Sequence, residues 1–214
     1  MFTAPLLPQS SSRRSWAPLA ALGLMLAATA AAAAEQTVRL ATFNIALYGT
    51  RAGEIRERLH GGGDRQAQAL AEIIQRVRPD VLVLNEIDYD EAGATLAAFA
   101  EEYLAVAQNV SGVAPPPEPL KYPHRIVFPA NTGEHSGFDL DRNGRVDPAD
   151  GGRDYGGDCW GYGVYPGQYA FALLSQFPLD EGAIRQFRRF LWRDMPGALL
   201  PDDPATPDSG DWYS

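Results

Sequence analysis

Hydrophobic and polar residues alternate at the start of the region that we expect to fold, as in a β-strand. The alternation covers residues 37–45 and predicts a strand that ends at Asn44. A helical pattern follows, because Asp64 is suited to cap a helix and Pro79 stops it. Between them the apolar residues recur three and four positions apart, at Leu70, Ile73, Ile74 and Val77.

An uninterrupted apolar run over residues 81–84 comes directly after this helix. Such a run predicts a strand covered on both faces, as in layered α/β folds. Its carboxyl end brings Asn85 and Glu86 to an edge of the sheet.

The remaining pattern predicts three more elements separated by a long irregular connection. We expect a second helix over about residues 92–106, a short strand over 125–128 and a buried strand over 169–175. Residues 111–167 are rich in Pro, Gly and Asp. A connection of this length is uncommon inside a compact domain unless it is functional or ordered by a ligand.

Residues 1–34 have the order of a secretory signal peptide. Arg13 and Arg14 precede an apolar run that ends in small Ala residues ahead of Glu35. The alternative is a membrane anchor, but the run is interrupted by Pro18 and is barely long enough to cross about 30 Å of hydrocarbon. We therefore expect a cleaved leader, no stable membrane anchor, and a secreted or periplasmic protein.

The segment Ser12–Trp16 around the paired arginines is also similar to a twin-arginine signal, which would mean export after folding. Cleavage would leave residues 35–214, a length suited to one domain, and would change the formal net charge from −9 to −11. A surface this negative disfavours nonspecific binding of long DNA or anionic membranes. Cys159 is the only cysteine, which excludes intramolecular disulfides and Cys-rich zinc sites.

Asn44 and Glu86 each stand at the end of a predicted strand. If the two strands are neighbours in one sheet, an amide and a carboxylate come within reach of a shared cation. Carboxylate oxygen is a hard ligand suited to Mg²⁺. Asn and acidic residues are also common at strand ends because they favour turns, so the pair alone leaves a structural role open.

Several segments together resemble the endonuclease/exonuclease/phosphatase superfamily of metal-dependent phosphoesterases. They are residues 42–44 (Thr-Phe-Asn), 78–86 (Arg-Pro-Asp-Val-Leu-Val-Leu-Asn-Glu) and 167–175 (Gly-Gln-Tyr-Ala-Phe-Ala-Leu-Leu-Ser), followed by Phe177-Pro178-Leu179. Their order and spacing agree with the family over about residues 37–190. The resemblance implies an α/β fold, namely a four-layer α/β/β/α sandwich with its active site at one edge of two sheets.

The resemblance also implies roles for the two strand-end residues. Glu86 would bind the catalytic Mg²⁺ or Mn²⁺, and Asn44 would help to hold the nearby acidic group, the metal water and the substrate phosphate. The expected partner is a phosphate-ester substrate. The family acts on nucleic acids, phosphoinositides, sphingomyelin and small phosphate esters, and the net charge favours a small or lipid-like ester. The sequence does not indicate an oligomeric state.

The chain departs from the family pattern in its second half. The family's Gly-Asp-x-Asn motif and closing Ser-Asp-His have no counterpart. The histidines are His60, His124 and His135, and the Gly-Asp pairs at Gly157 and Gly210 continue differently. We therefore expect the amino-terminal portion of a longer enzyme, with about half of the sandwich absent and little activity by itself.

A second constellation lies within an insertion at about residues 131–160. Residues 139–150 match the twelve-residue Ca²⁺ loop of EF-hand proteins, with Gly144 at the sharp turn. The flanks lack the EF-hand helix pattern, so we expect a structural Ca²⁺ that orders the insertion, the alternative being a solvated acidic loop. The candidate ligands are Asp139, Asp141, Asn143, the Arg145 carbonyl, Asp147 and Asp150.

This loop supports a competing hypothesis, a noncatalytic Ca²⁺-binding extracellular module on the same scaffold.

Two further clusters of side chains, one aromatic and one basic, are expected to have structural roles. Trp160, Tyr162 and Tyr165 are expected to pin a glycine-rich loop to the core. Arg185, Arg188, Arg189 and Arg193 could meet a phosphate, but a solvated strand face paired with Asp180, Glu181 and Asp194 is the favoured interpretation.

Overall fold

The computed structural model describes residues 37–149 and 151–200. The predicted leader and Asp150 of the acidic loop lie outside the described residues. No helix in the described part is both long enough and apolar enough to cross a membrane. The elements are β1 (Leu40–Leu47), α1 (Glu54–Leu59), α2 (Arg65–Val77), β2 (Val81–Ile87), α3 (Ala94–Ala98) with a π-helical continuation (Phe99–Leu104), β3 (His124–Phe128), α4 (Arg153–Gly157), β4 (Ala170–Ser175) and 3₁₀ turns at Glu181–Ala183 and Trp192–Asp194.

The four strands form one mixed sheet in the order β1-β2-β4-β3. β1 and β2 are parallel, and Asn44 lies opposite Asn85. β4 runs antiparallel to both β2 and β3. A parallel pair needs a crossover connection, which the segment with α1 and α2 supplies. The predicted α/β class, with the first two strands as neighbours, is confirmed.

Local capping sets the ends of α2. The Asp64 carboxylate accepts the Ala67 N–H at 2.9 Å, and Arg78 adopts a left-handed conformation (φ +51°) that ends the helix before Pro79. Both ends agree with the prediction from sequence.

The second predicted helix begins at Ala94, where the Asp90 carboxylate accepts the Ala94 N–H at 2.7 Å. Its last turn widens to a π-helix over Phe99–Leu104. The buried Gln75 side chain donates to the carbonyls of Leu104 and Val106 at 2.8 and 2.7 Å. These bonds satisfy backbone groups near the end of the widened turn, which would otherwise be costly to bury.

One face of the sheet packs against the helices and forms the core. Its strand residues are Ile45, Leu47, Leu82, Leu84, Ile87, Ala172 and Leu174. The helices contribute Ile55, Leu59, Ala67, Ala71, Ile74, Leu96, Phe99, Tyr103 and Leu104.

The opposite face of the sheet is only partly covered. Leu40 is 72% exposed and Phe171 is 40% exposed, while Val81 and Val83 are half-buried. The prediction that the strand after α2 is covered on both faces is therefore wrong for the described residues, since helices cover one face alone. An apolar run does not by itself show what lies above each face. The described residues supply one sheet and one helical layer of the predicted sandwich.

A buried carboxylate of α2, that of Glu72, attaches the segment after the π-turn to this helix. Glu72 is 3% exposed, and its carboxylate accepts the Arg76 Nε–H at 2.9 Å and the Ser111 N–H at 2.9 Å. The hydrogen bonds from the Ser111 hydroxyl and N–H, with help from Arg76, lower the pKa of Glu72 to about 2. Because the folded-state pKa lies below the ordinary value, ionised Glu72 stabilises the fold above pH 4.5.

This stabilisation should be lost as the pH falls from 4.5 through about 2. We expect Glu72→Gln to lower the free energy of unfolding clearly at pH 6 and much less at about pH 2.5, measured by urea denaturation. Glu91→Gln, at an exposed position, is the control. Equal destabilisation by Glu72→Gln at both pH values would contradict this role.

Candidate active site

Three neighbouring strand ends at one edge of the sheet have left-handed backbone at residues other than glycine. Ala46 in β1, Glu86 in β2 and Tyr169 just before β4 have φ of +46°, +58° and +58°. The strand register is irregular at the same places, after Asn44 and after Asn85. β-Bulges and left-handed residues redirect side chains and are enriched at functional sites. This edge of the sheet is therefore a candidate active site.

The predicted pair lies at this edge. Asn44 is opposite Asn85, so Glu86 is the next residue on the neighbouring strand. Asn44 is exposed, and its side-chain Oδ1 accepts the Ala46 N–H at 3.1 Å. Its NH₂ group has no partner among the described residues. The Asn85 amide donates to the Thr42 hydroxyl at 2.8 Å, which ties β1 to β2 beside the pair.

Glu86 is half-buried, and no described residue gives its carboxylate a hydrogen bond or an ion pair. A carboxylate that the fold does not use is available to bind a cation. Mg²⁺ and Mn²⁺ take hard oxygen ligands, and Mg²⁺ is commonly held by one or two carboxylates together with waters. The residues present thus fit a divalent cation of this kind.

A buried clamp holds the segment after β1 against the end of β2. Asp88 is 4% exposed, and one of its carboxylate oxygens accepts the Tyr165 O–H at 2.8 Å and the Gly49 N–H at 3.1 Å. The Gln168 side chain donates to the Gly49 carbonyl at 2.9 Å. Both the N–H and the carbonyl of Gly49 are therefore hydrogen-bonded, which fixes the loop after β1 beside the end of β2.

Asp88 is an unusual carboxyl group in this clamp. Burial raises the pKa of Asp88 to about 6, although the Tyr165 hydroxyl and the Gly49 N–H act in the opposite direction. Its second oxygen, Oδ1, is buried and has no partner among the described residues. Sequence reasoning missed Asp88, although its position two residues after Glu86 was a usable signal. The expected pinning role of Tyr165 agrees with this contact.

Aromatic rings surround the same edge. Tyr48 and Tyr169 meet edge to face with ring centroids 4.5 Å apart. Burial raises the pKa of Tyr169, and the neighbouring Tyr48, Tyr162 and Glu86 raise it further. Trp160 and Tyr162 are more than half exposed, so they do not pin the loop to the core as expected.

The predicted Ca²⁺ loop contains a compact acidic cluster, which we call the Asp cluster. Carboxylate oxygens of Asp139, Asp141 and Asp158 all lie within 4.8 Å of one another. Asp158 is fully buried and also accepts the Leu140 N–H at 2.8 Å. Sequence reasoning missed Asp158 because it lies beyond the twelve-residue loop.

The other candidate ligands of the loop lie as follows. The Asn143 side chain accepts the Arg145 N–H at 2.9 Å, and the Arg145 guanidinium pairs with Asp154. The Asp147 carboxylate accepts the Ala149 N–H at 3.1 Å and is not a member of the Asp cluster. Gly144 has φ +84°, which supplies the sharp turn that the loop pattern requires.

The arginine-rich segment is not a strand and pairs elsewhere than predicted. Arg188 forms its ion pair with Glu134, from the long connection after β3, and not with the acidic residues near it in sequence. The two residues border an open cavity of about 390 Å³ together with Tyr89, Asp90, Glu91, Pro129, Ala130, Pro166 and Gly167. The pairing follows from the fold, because the connection after β3 passes beside this segment.

Comparison with known proteins adds one finding to this geometry. No curated protein and no solved structure matches the chain significantly. A family model described as "Endonuclease/Exonuclease/phosphatase family" matches residues 41–212. The match covers well over half of the chain and contains β1 after its first residue, all of β2 to β4, the edge with Asn44 and Glu86, and the Asp cluster. The mixed sheet, the strand-end carboxylate and this match agree, and the chain belongs to the endonuclease/exonuclease/phosphatase family.

Proposed function

We propose that this protein is an exported phosphoesterase that hydrolyses a phosphodiester or phosphomonoester with Mg²⁺ or Mn²⁺ held by Glu86. Members of the family are hydrolases that act on phosphate ester bonds. The observation that carries the proposal is the Glu86 carboxylate, which lies at a left-handed bulge beside Asn44 and has no protein partner among the described residues.

Each residue at the edge has a distinct role in this proposal. Glu86 supplies the anionic metal ligand, and the NH₂ group of Asn44 is available to donate to a phosphate oxygen. The Asp88 clamp on Gly49 keeps the loop after β1 rigid, so that the site need not be ordered during the reaction. The bound metal would polarise the phosphoryl oxygen and lower the pKa of the attacking water.

The partly open face of the sheet supports the proposal that residues 35–214 form only part of the sandwich. Exposed apolar side chains such as Leu40 and Phe171 lie where a second sheet would pack. Without that layer we expect the 214-residue chain to be weakly active or inactive alone.

The leader and the charge bear on location and substrate. We propose cleavage after residue 34 and a secreted or periplasmic enzyme, which N-terminal sequencing tests by finding Glu35 at the start of the mature protein. The net charge of −11 after cleavage favours a small or lipid-like ester over long DNA.

A metal titration tests the assignment of Glu86. We expect the chain to bind Mn²⁺ in a calorimetric titration run with millimolar Ca²⁺ present to fill the Asp cluster. Glu86→Gln should weaken this binding strongly, whereas Glu91→Gln, at an exposed position in the following loop, should not change it. Equal Mn²⁺ affinity in wild type and Glu86→Gln would overturn the proposal.

The Asp cluster favours a second function, structural Ca²⁺ binding. We propose that Asp139 and Asp141, with Asp158, take part in holding a Ca²⁺ that orders the long connection before β4. If the protein were a noncatalytic module, it would bind Ca²⁺ at the cluster but would show no Mn²⁺ binding that depends on Glu86.

Calcium should therefore raise the thermal stability of the protein. A ligand at 100 times its dissociation constant stabilises the folded state by about 2.7 kcal/mol. We expect this gain in differential scanning calorimetry for the wild type and for Asp180→Asn, an exposed control. Asp141→Asn, also at an exposed position, should lose most of it. A gain of the same size in Asp141→Asn would exclude the Asp cluster as the binding site.

A further inference from the structure

A third side chain, Tyr169, lies at the edge formed by Asn44 and Glu86. We propose that Tyr169 contacts the substrate, with its phenol O–H donating a hydrogen bond to a phosphate oxygen beside the metal at Glu86. This inference rests on the proposed function and adds a substrate-binding residue to it.

The strand register places Tyr169 next to Glu86. Asn85 pairs with Phe171 and Ile87 pairs with Ala170, so Glu86 is an extra, bulged residue of β2 that has no partner of its own on β4. Tyr169 directly precedes Ala170 on the strand next to β2. Glu86 and Tyr169 both have φ of +58°, a backbone conformation that residues other than glycine rarely adopt. The two bulged positions therefore present adjacent side chains at one edge.

The ring of Tyr169 is held in place, but its hydroxyl is not used by the fold. Tyr48 packs edge to face against the ring at 4.5 Å between centroids. No described residue forms a hydrogen bond with the Tyr169 hydroxyl, although the side chain is half-buried. Four other tyrosines in the described part use their hydroxyls to bond a carbonyl or carboxylate, namely Tyr103, Tyr122, Tyr155 and Tyr165. The hydroxyls of Tyr48, Tyr89 and Tyr162 likewise have no such bond among the described residues, but Tyr169 is the one that the strand register places next to Glu86.

The chemistry at this edge requires such a donor. A phosphate ester brings negative charge close to the Glu86 carboxylate, so acceptor oxygens must be met by the metal or by O–H and N–H groups. A tyrosine phenol is protonated at neutral pH, so it is a donor. A neutral phenol donates to a phosphate oxygen without competing for the metal. Phosphate oxygens are therefore the acceptors that suit its position.

The test uses the 214-residue chain with Mn²⁺ and inorganic phosphate as probes, again with Ca²⁺ present. Calorimetry measures Mn²⁺ affinity first and then phosphate affinity of the Mn²⁺-loaded protein. Tyr169→Phe removes one oxygen and keeps the ring, so Mn²⁺ affinity and thermal midpoint should match the wild type. Phosphate affinity should fall about tenfold, the loss typical of one hydrogen bond to a charged acceptor. Tyr89→Phe, from a half-buried tyrosine that borders the cavity near Arg188, is the matched control and should change neither affinity.

The outcomes separate the two proposals. Binding of Mn²⁺ that depends on Glu86, together with unchanged phosphate affinity in Tyr169→Phe, would overturn the role of Tyr169 and leave the phosphoesterase proposal intact. Mn²⁺ binding with no phosphate binding in the wild type would also overturn the role of Tyr169. An Mn²⁺ affinity that is unchanged in Glu86→Gln would overturn the proposed function itself. A tenfold loss in Tyr169→Phe but not in Tyr89→Phe supports both proposals.

Discussion

Glu86→Gln is expected to lower metal-dependent hydrolysis of a phosphodiester such as bis(p-nitrophenyl) phosphate by about a thousandfold. Glutamine keeps the size of the side chain but replaces an anionic ligand by a neutral amide, so the metal is held weakly. A metal acting as a Lewis acid supplies several kcal/mol of transition-state stabilisation, and each 1.36 kcal/mol is a factor of ten in rate. The rate should be measured as a function of Mg²⁺ and Mn²⁺ concentration, in the longer protein that the proposed function implies.

The control for this experiment is Glu91→Gln, which removes an exposed carboxylate from the loop after β2. Its kcat/KM should stay within about twofold of wild type, because a surface substitution away from the site has little effect. Part of the loss in Glu86→Gln should be recovered at high metal concentration, since the variant weakens binding and leaves the edge in place. Unchanged turnover in Glu86→Gln would show that the metal, if one is used, is bound elsewhere.

Gly133→Ala is expected to destabilise the protein by about 3 kcal/mol or more, which combines backbone strain with overpacking. Gly133 has φ +70°, and a Cβ at this position would overlap the Tyr165 carbonyl oxygen. The backbone cannot move aside easily, because the Gly133 carbonyl accepts the Tyr155 O–H at 2.7 Å and its N–H donates to Gly161 at 2.9 Å. Urea denaturation measures the loss.

Gly112→Ala is the matched control, because Gly112 has φ +69° but no atom lies within 4 Å of the added Cβ. Gly112→Ala should lower the free energy of unfolding by only about 1 kcal/mol, which is the strain of an alanine in the left-handed conformation. Gly133→Ala should also weaken the stabilisation by Ca²⁺, because Gly133 joins the connection that carries the Asp cluster to the chain around Tyr165. Similar losses in the two variants would mean that the contact with Tyr165 is not tight.

Local sequence patterns were sufficient for the elements whose ends are set by neighbouring residues. The Asp64 cap, the apolar spacing of α2 and the stop before Pro79 predict that helix correctly. The apolar run after it predicts β2, whereas the parallel pairing of β1 with β2 is a finding of the structure. The meeting of Asn44 and Glu86 at one edge was expected on the condition that the two strands are neighbours, and the parallel pairing meets that condition, because parallel neighbours end on the same side.

Local patterns failed where a residue's surroundings come from distant parts of the chain. The apolar run of β2 does not reveal that one face of the sheet stays partly open. The second helix widens into a π-turn, and the side chain that bonds its last carbonyls is Gln75, which reaches them from α2. Arg188 finds Glu134 across the fold although acidic residues are nearer in sequence.

The sequence by itself determined the α/β class and the position of an amide and a carboxylate at the ends of two strands, because hydrophobic period and capping act over a few residues. Only the tertiary structure decided that Asp158 joins Asp139, that Asp88 and Tyr165 clamp Gly49, and that Tyr169 lies beside Glu86. Each of these contacts joins residues 19 or more positions apart, and their meeting depends on how the whole chain packs.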